Sequence, residues 1–474
     1  MKNNKILIRL SYHLLLALSL VNCINRPGQS DSQISDRLPN IIIILVDDAG
    51  YVDFGFMGSE DLETPRIDEL AGKGVIFTDA HVSATVCAPS RAGLLTGRYQ
   101  QRFGHECNGT GGDLGTDPDE TILADALKSA GYKTAAIGKW HLGHTKEYIP
   151  NNRGFDEFYG FLGGSRSYFP LENPNPNQVI RHNREAVQFE GYLTDVLGDK
   201  AVEYIDQFKN GPFFLYLAFN AVHTPMHAKE EHLEKYNDHP RRELAAMTWS
   251  LDENVGKVID KLDEEKLMDH TLVFFLSDNG GALTNQSSCG PLKGWKGNKF
   301  EGGHRVSFFI TWPGRVPQDK IFDGLTSSLD IFMTSLHAAG IEKYKGNRLD
   351  GINLIPYLTG DMDGDPHSCL YWRKDKMAAV RIGDFKLIRL DDYGFRMYYL
   401  ENDPGEVNDL QDAQQEKFSE LMSGLTTWEE GLIEPLWLEE SQWNRVTYEI
   451  HQALMENRKP EYTNPGELRS YQEK

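Results

Sequence analysis

Four apolar runs, each followed at once by polar residues, constrain the fold of this chain more than any other feature of its sequence. They cover residues 41–46, 134–137, 213–219 and 271–276. Unbroken apolar runs of this kind are typical of strands that are buried on both faces of a parallel sheet. The stretches between them contain amphipathic patterns of helical period, for example over residues 241–266. The sequence therefore predicts an α/β fold with a large sheet flanked by helices.

The polar residues after these four runs carry most of the chemistry in the chain. In chain order they are Asp47, Asp48, Lys139, His141, His223, Asp278 and Asn279. In open α/β sheets, ligands bind at the edge where the strands have their carboxyl ends. We therefore expect these side chains to meet at one site.

A divalent cation is the first ligand that this set suggests. Three carboxylates and one amide, from Asp47, Asp48, Asp278 and Asn279, would supply oxygen ligands without a histidine or a thiolate. Such a donor set favours Ca²⁺ or Mg²⁺ over Zn²⁺. The alternative role for an Asp-Asp pair after a strand is to cap a helix or form a turn.

A second element of the predicted site is the stretch from Cys87 to Gly97, CAPSRAGLLTG. Pro89 fits where a loop enters a helix, Ser90 is predicted to cap that helix, and Gly97 is predicted to end it. Cys87 then lies at a helix N-terminus, where free N–H groups favour an anion. The alternative is a buried loop cysteine with a packing role.

Further basic residues complete the predicted site. Lys139 and His141 are two positions apart and would point the same way on an extended segment, and Lys296 lies in a glycine-rich loop. A cation, lysines, Arg91 and histidines around one anion-sized space suit the cleavage of an ester at a tetrahedral oxyanion. These residues by themselves do not decide between sulfate and phosphate.

The length and charge of the chain limit the other functional classes. Its 474 residues suffice for one large α/β domain and a smaller one. A net charge of −21 without a basic stripe argues against a nucleic-acid partner. We predict a signal peptide over residues 1–22, a linker over 23–38, a catalytic domain over 39–365, and a C-terminal subdomain and tail over 366–474. Short strand patterns after residue 367 predict a small antiparallel sheet there.

The N-terminal segment predicts export from the cytoplasm. Basic residues precede the apolar run of residues 14–20, which is too short to span a membrane. The protein is expected either in the periplasm or anchored to a membrane by a lipid on Cys23, its only predicted link to a membrane. The sequence leaves open whether Cys107, Cys289 and Cys369 include one disulfide.

Six motifs in order give the chain a family resemblance. They are residues 40–48 (NIIIILVDD), 87–91 (CAPSR), 138–143 (GKWHLG), 223–225 (HTP), 277–280 (SDNG) and 294–303 (GWKGNKFEGG). From about residue 40 to 410 the chain resembles the formylglycine-dependent sulfatases of the alkaline-phosphatase superfamily. The resemblance implies a large mixed, mostly parallel sheet flanked by helices, and a smaller C-terminal subdomain with an antiparallel sheet and a helix.

The resemblance also implies a mechanism and its residues. Cys87 would be oxidised to formylglycine by a formylglycine-generating or an anaerobic sulfatase-maturating enzyme, and the hydrated aldehyde would attack sulfur. Ca²⁺ would be held by Asp47, Asp48, residue 87, Asp278 and Asn279. Arg91 would stabilise the formylglycine, and His141 would assist breakdown of the sulfated hemiacetal. Lys139 and Lys296 would bind sulfate oxygens, and His223 would protonate the leaving alcohol.

The substrate implied by the resemblance is a sulfated carbohydrate, such as a glycosaminoglycan or algal polysaccharide fragment. Candidate substrate contacts are His105, Arg166 and His304, the last of which departs from the family pattern together with Ser307. The alternative functions are a phosphate mono- or diesterase of the same superfamily and a non-catalytic protein that binds sulfated glycans.

Overall fold

The computed structural model describes residues 37–109, 114–461 and 463–464. The predicted signal peptide, most of the linker and Cys23 lie outside these ranges. None of the helices in the described ranges combines the length and the apolar character needed to cross a membrane. All four cysteines in these ranges are free thiols, so Cys107, Cys289 and Cys369 form no disulfide with one another.

The strands and helices alternate along the first two thirds of the chain. The strands are β1 (Asn40–Val46), β2 (Gly74–Phe77), β3 (Ala80–His81), β4 (Lys133–Lys139), β5 (Glu157–Phe161), β6 (Arg181–His182), β7 (Glu185–Ala186), β8 (Phe213–Ala218), β9 (Thr271–Ser277), β10 (Phe308–Thr311), β11 (Lys320–Phe322), β12 (Thr326–Ser327), β13 (Cys369–Lys374), β14 (Met377–Ile382), β15 (Phe385–Leu390) and β16 (Gly394–Tyr399). The helices are α1 (Pro65–Gly72), α2 (Cys87–Thr96), α3 (Leu123–Ser129), α4 (Leu193–Phe208), α5 (Glu230–Lys235), α6 (Arg242–Glu264), α7 (Glu301–His304), α8 (Asp330–Ala338), α9 (Ile355–Thr359), α10 (Gln415–Glu429) and α11 (Ser441–Met455).

The predicted large sheet is confirmed, with ten strands in the order β11-β2-β10-β9-β1-β8-β4-β5-β6-β7. Its four central strands, β9, β1, β8 and β4, are the four apolar runs, and each pairs in parallel with its neighbours in this group. Along β1, Ile42 and Ile44 pack into one hydrophobic core and Ile41 and Ile43 into the other. Because both faces are covered, the run needs no polar positions until it ends.

Helix α2 begins one turn earlier than the cap prediction required. Cys87 is its first residue, and the extended residue before it is Val86, which makes no side-chain capping bond. Ser90 therefore does not cap the helix, and its N–H instead donates to Val86 O at 3.2 Å. Gly97 does end the helix, with φ +65° and an N–H···O bond of 2.8 Å to Gly93. The predicted position of Cys87 at a helix N-terminus is confirmed.

The C-terminal part contains the predicted antiparallel sheet, with the strand order β13-β14-β15-β16. Helix α10 packs against its strands β14 and β15. Helix α11 lies in the tail, for which the sequence predicted no helix, and its Val446 and Ile450 join Trp372 in a separate hydrophobic cluster. The residues from Leu38 onward form one compact unit, so the predicted boundary after residue 365 lies between two sheets of that unit.

Buried ion pairs join this small sheet to the rest of the molecule. Lys386 Nζ lies 2.8 Å from a carboxylate oxygen of Glu301 and 2.8 Å from one of Glu406, and all three side chains are fully buried. Arg381 pairs through both terminal nitrogens with Asp79, at 2.7 and 2.8 Å. Glu301 belongs to α7, so these pairs fix the loop before α7 against the C-terminal sheet.

The Lys386 pairs give the first prediction. Lys386→Met should lower the free energy of unfolding by about 3–5 kcal/mol, because it removes the cation that pairs with the buried Glu406 carboxylate and one of the cations around the buried Glu301 carboxylate. Urea unfolding at neutral pH measures this change. Lys376→Met, which removes the same charge from the exposed pair with Asp392, should leave the unfolding midpoint unchanged. Equal midpoints for the two variants would contradict the prediction.

Candidate active site

The polar residues predicted from the four strand ends do meet at one edge of the large sheet, around Cys87. The Cys87 sulfur lies 3.2 Å from Lys296 Nζ, 3.7 Å from Asp47 Oδ1 and 4.0 Å from Asp48 Oδ1. The residue is 1% exposed, so its side chain faces this cluster and not bulk water. Cys87 comes from α2, the two aspartates follow β1, and Lys296 comes from the loop before α7.

Each of the two aspartates is paired with a lysine from another part of the chain. Lys139 Nζ donates to Asp47 Oδ2 at 2.6 Å, and Lys296 Nζ lies 2.7 and 2.8 Å from the two oxygens of Asp48. Burial would raise the pKa of Asp48, but Lys296 and His223 outweigh it and hold this pKa below its usual value. Burial raises the pKa of Asp47, and the nearby Asp278 carboxylate adds to the rise.

Arg91 binds the third carboxylate of the cluster, that of Asp278. Its Nε donates to Asp278 Oδ2 at 2.9 Å, and its Nη1 donates to the backbone oxygen of Lys139 at 2.9 Å. The side chain has no exposed surface. Arg91 therefore links α2 to the ends of β9 and β4, one turn from Cys87.

The oxygen atoms of this cluster fit a hard divalent cation. Ligand atoms of Asp47, Asp48, Cys87 and His223 all lie within 4.8 Å of one another. Asn279 donates its amide to Asp48 Oδ1 at 2.8 Å, while its own Oδ1 is buried and has no hydrogen-bond partner. An orphaned buried oxygen beside crowded carboxylates is the arrangement that Ca²⁺ or Mg²⁺ would satisfy. Asp278 lies at the margin, with one oxygen on Arg91.

Two histidines border the cluster. His223 Nε2 lies 3.6 Å from Asp48 Oδ2, and burial lowers the pKa of His223 to about 4. His141 follows β4 with φ +61°, as Asp48 follows β1 with φ +63°, so both residues occupy the left-handed region that residues other than glycine seldom adopt. Such backbone conformations are concentrated at functional sites.

The Cys87 thiol itself is not activated. Burial raises its pKa to about 12, and this effect outweighs the two nearby lysines. A catalytic cysteine acts as a thiolate and needs a lowered pKa. The surroundings of residue 87 therefore suit a group other than a thiolate.

Two cavities open beside Cys87, one at each end of the cluster. The larger has a volume of about 420 Å³ and is lined by Asp48, His223 and Lys296 from the cluster, together with Asn108, Trp295, Lys374, Glu439, Glu440 and Trp443. The smaller, of about 130 Å³, is lined by His141, His105, Gly164 and Trp437 among others. The larger cavity is thus bordered by the Asp48 side of the cluster and the smaller one by His141 and by Ala88, the neighbour of Cys87.

The three predicted substrate contacts have different positions. His105 lines the smaller cavity, with its ring 4.7 Å from that of Trp437. The Arg166 guanidinium is turned away, since it donates to the backbone oxygens of Ser167 and Gln178 within its own loop.

His304 is fully buried and is not brought to either cavity. One ring nitrogen lies 2.9 Å from His81 Nδ1, the other lies 3.0 Å from Lys386 Nζ, and the ring stacks on Trp372. A sugar cannot reach it in this structure, so the prediction for His304 is corrected to a role in the buried network.

The sequence analysis missed the contribution of the C-terminal tail to the site. Helix α11 lines the larger cavity with Trp443 and also supports the catalytic loop, because Lys299 N–H donates to His451 Nε2 at 3.0 Å. Its apolar positions, such as Val446 and Ile450, recur at helical spacing, which was the available signal. That spacing does not show against which part of the fold the apolar side of the helix packs.

Comparisons with known proteins identify relatives over most of the chain. Residues 39–341 match the model of the Sulfatase family. The chain is 35% identical to the N-acetylgalactosamine-6-sulfatase of Homo sapiens over 376 residues, which is 73% of this chain and 71% of that protein. It is 32% identical to the arylsulfatase G of Homo sapiens over 407 residues, 76% of each chain.

A solved structure is also similar to this chain over most of its length. The structure of Ps i-CgsB in complex with k-i-k-neocarrahexaose superposes with a TM-score of 0.81 at 35% identity, covering 88% of this chain and 98% of that one. The mostly parallel sheet and the C-terminal four-stranded sheet are thus a shared architecture.

The position of the His141 ring gives the second prediction. A Cβ added at Gly164 would lie 2.5 Å from two atoms of that ring. Gly164→Ala should displace the ring and lower kcat about a hundredfold, because small displacements of reacting groups cost this much. Steady-state turnover and the thermal midpoint should be measured together. Gly211→Ala, where the added Cβ meets nothing within 4 Å, is the control, and equal kcat for both variants would contradict the prediction.

Proposed function

Because the chain belongs to the sulfatase family, we propose that it removes sulfate from a sulfated carbohydrate through a formylglycine formed from Cys87 and with a bound Ca²⁺. The observation that carries the proposal is the position of residue 87. It lies at the start of α2, 3.2 Å from Lys296 and beside two aspartates, and its thiol pKa is raised to about 12. A formylglycine hydrate would supply the nucleophilic hydroxyl that this thiol cannot.

The cluster residues then divide into four tasks. Lys139 and Lys296 bind the sulfate oxygens and neutralise the charge that grows on them as the ester bond breaks. His223 lines the larger cavity and is placed to protonate the alcohol that leaves in that direction, once it has itself taken up a proton. Burial lowers its pKa to about 4 in the free protein, and the negative charge of a bound sulfate ester would favour the protonated form. His141, at the smaller cavity, accepts the proton released when the sulfated residue 87 breaks down. Arg91 holds Asp278 and the end of β4 in place for these steps.

The cation would be held by Asp47, Asp48, Asp278, Asn279 and residue 87. The oxygen donors favour Ca²⁺, and the unpartnered Oδ1 of Asn279 supports this assignment. When bound, Ca²⁺ supplies positive charge to the sulfate group and to the nucleophile.

The carbohydrate substrate is supported by the names of the relatives. N-acetylgalactosamine-6-sulfatase is a curated relative at 35% identity, and a neighbouring structure holds a neocarrahexaose. A cavity of about 420 Å³ beside His223 is in the range that accommodates small ligands, about 300–1,000 Å³. As part of the proposal, the protein acts outside the cytoplasm, in the periplasm or on a membrane through Cys23, after export directed by residues 1–22.

The nucleophile gives the third prediction. The intact mass of the peptide that contains Cys87 should show the loss of one sulfur and two hydrogens and the gain of one oxygen. Cys87→Ser, made in a host that oxidises only cysteine, should lower turnover at least about a thousandfold, as removal of a nucleophile does. Cys369→Ser should keep full activity.

Two results would contradict this proposal. One is an unmodified thiol at residue 87 in an active protein, and the other is a preference of about tenfold or more for nitrophenyl phosphate over nitrophenyl sulfate. Sulfate release should also be measured on a panel of defined sulfated mono- and oligosaccharides, since a carbohydrate sulfatase must turn over at least one of them.

The cation gives the fourth prediction. Adding Ca²⁺ to chelator-treated protein at a hundred times its Kd should stabilise the fold by about 2.7 kcal/mol. A calorimetric scan with and without Ca²⁺ measures the shift without any need for activity. Asp48→Asn should abolish the shift, and Asp61→Asn, at a surface ion pair with Arg241, should preserve it. An equal shift in the two variants would rule out this site.

A further inference from the structure

The larger cavity receives the leaving part of the substrate if the proposed function is correct. It shares His223 and Lys296 with the cluster, and His223 is the residue assigned to the leaving alcohol. Its lining also includes Glu439, Glu440 and Trp443, which belong to the segment just before α11 and to its first turn. We call this part of the lining the tail side of the cavity. This segment follows residue 341, where the match to the family ends.

The charges on this side of the cavity do not balance. Lys374 and Glu439 form an ion pair with side chains 4% and 12% exposed, so each neutralises the other. Glu440 is exposed, and no hydrogen bond or ion pair to its carboxylate occurs within the described ranges 37–109, 114–461 and 463–464. Among the described residues, the tail side of the cavity therefore carries one negative charge, on Glu440, that no cation pairs with.

The remaining surface there is largely apolar. The Trp443 side chain is 42% exposed and Leu283 is 42% exposed, and both line the cavity together with Trp295. Exposed aromatic rings beside a pocket offer a flat surface for contact with a partly apolar ligand. A pyranose ring with uncharged substituents suits such a surface, because it would not place an anion beside Glu440.

We propose that this side of the cavity selects a sugar whose only anionic group is the sulfate being removed, and that Glu440 is the residue that disfavours a second sulfate or a carboxylate. The inference rests on the proposed function and refines its substrate class. It concerns the leaving sugar alone, since the sulfate that is removed lies among Lys139, Lys296 and the cation. The chain carries a net charge of −21, so its overall field also disfavours a second anionic group on the substrate.

The test compares paired sugars that differ by one anionic group. N-acetylgalactosamine 6-sulfate is paired with its 4,6-disulfate, and 6-sulfated galactose and N-acetylglucosamine are paired with their disulfated forms. The kcat/KM for release of the shared sulfate is measured by chromatography at low ionic strength. Wild-type protein should prefer the monosulfated member of the best pair. Glu440→Gln should reduce that preference by about three- to fivefold, the effect of one charge at close range in water-filled space.

A matched control and a salt series separate charge repulsion from a structural effect. Glu434→Gln removes the same charge from an exposed residue of the same segment that does not line the cavity, and it should leave the preference unchanged. The difference between wild type and Glu440→Gln should shrink in 1 M salt, where the screening length falls to about 3 Å.

Three outcomes would overturn the inference. They are a wild-type preference for the disulfated sugar, an equal change of both members of the pair in Glu440→Gln, and the same change in Glu434→Gln. Failure to release sulfate from every sugar in the panel would instead overturn the proposed function, and the inference with it. The two kinds of failure can be told apart, because the first three outcomes can be observed only if the protein releases sulfate.

Discussion

The site depends on the neutralisation of buried carboxylates at the end of the large sheet. Asp47, Asp48 and Asp278 follow two adjacent strands and have almost no exposed surface. Buried charges are costly unless each is paired. Their cations come from other elements, Arg91 from α2, Lys139 from β4 and Lys296 from the loop before α7. The ion pairs that neutralise these buried carboxylates therefore also hold the lysines and the arginine close to Cys87.

The central strands and the site residues on them could be predicted from sequence because both signals are local. A run such as residues 41–46 is apolar at every position, since alternate side chains enter two different cores. The polar residues that follow must then lie at the carboxyl edge, and parallel pairing places them side by side. The short distances around Cys87 agree with this reasoning. The start of α2 differs from the prediction by one turn, because Ser90 does not cap the helix.

What sequence could not give is the set of partners that each candidate substrate contact has in the folded chain. His304 is fully buried because Lys386 and Trp372, about 80 and 70 residues away, enclose its ring. Arg166 satisfies its donors on the carbonyls of its own loop. Neither partner set is encoded by spacing around the residue itself. The cluster around Cys87 thus lies in the part of the chain that matches the sulfatase family, whereas the tail contributes Glu439, Glu440 and Trp443 to the lining of the larger cavity.

The hydrogen bond from Lys299 N–H to His451 connects the part of the chain that matches the sulfatase family to the tail. The loop that carries Lys296 is held to the segment after β9 by Lys296 N–H, which donates to Gly281 O at 3.0 Å, and to α11 by the bond to His451. The last helix of the described chain is thus part of the support of a residue that touches the reacting atoms. A protease cut near residue 435 would detach this support while leaving every catalytic side chain in the sequence. Activity would then be lost before the central sheet unfolds. A measurement of activity would therefore also reveal damage to the C-terminus.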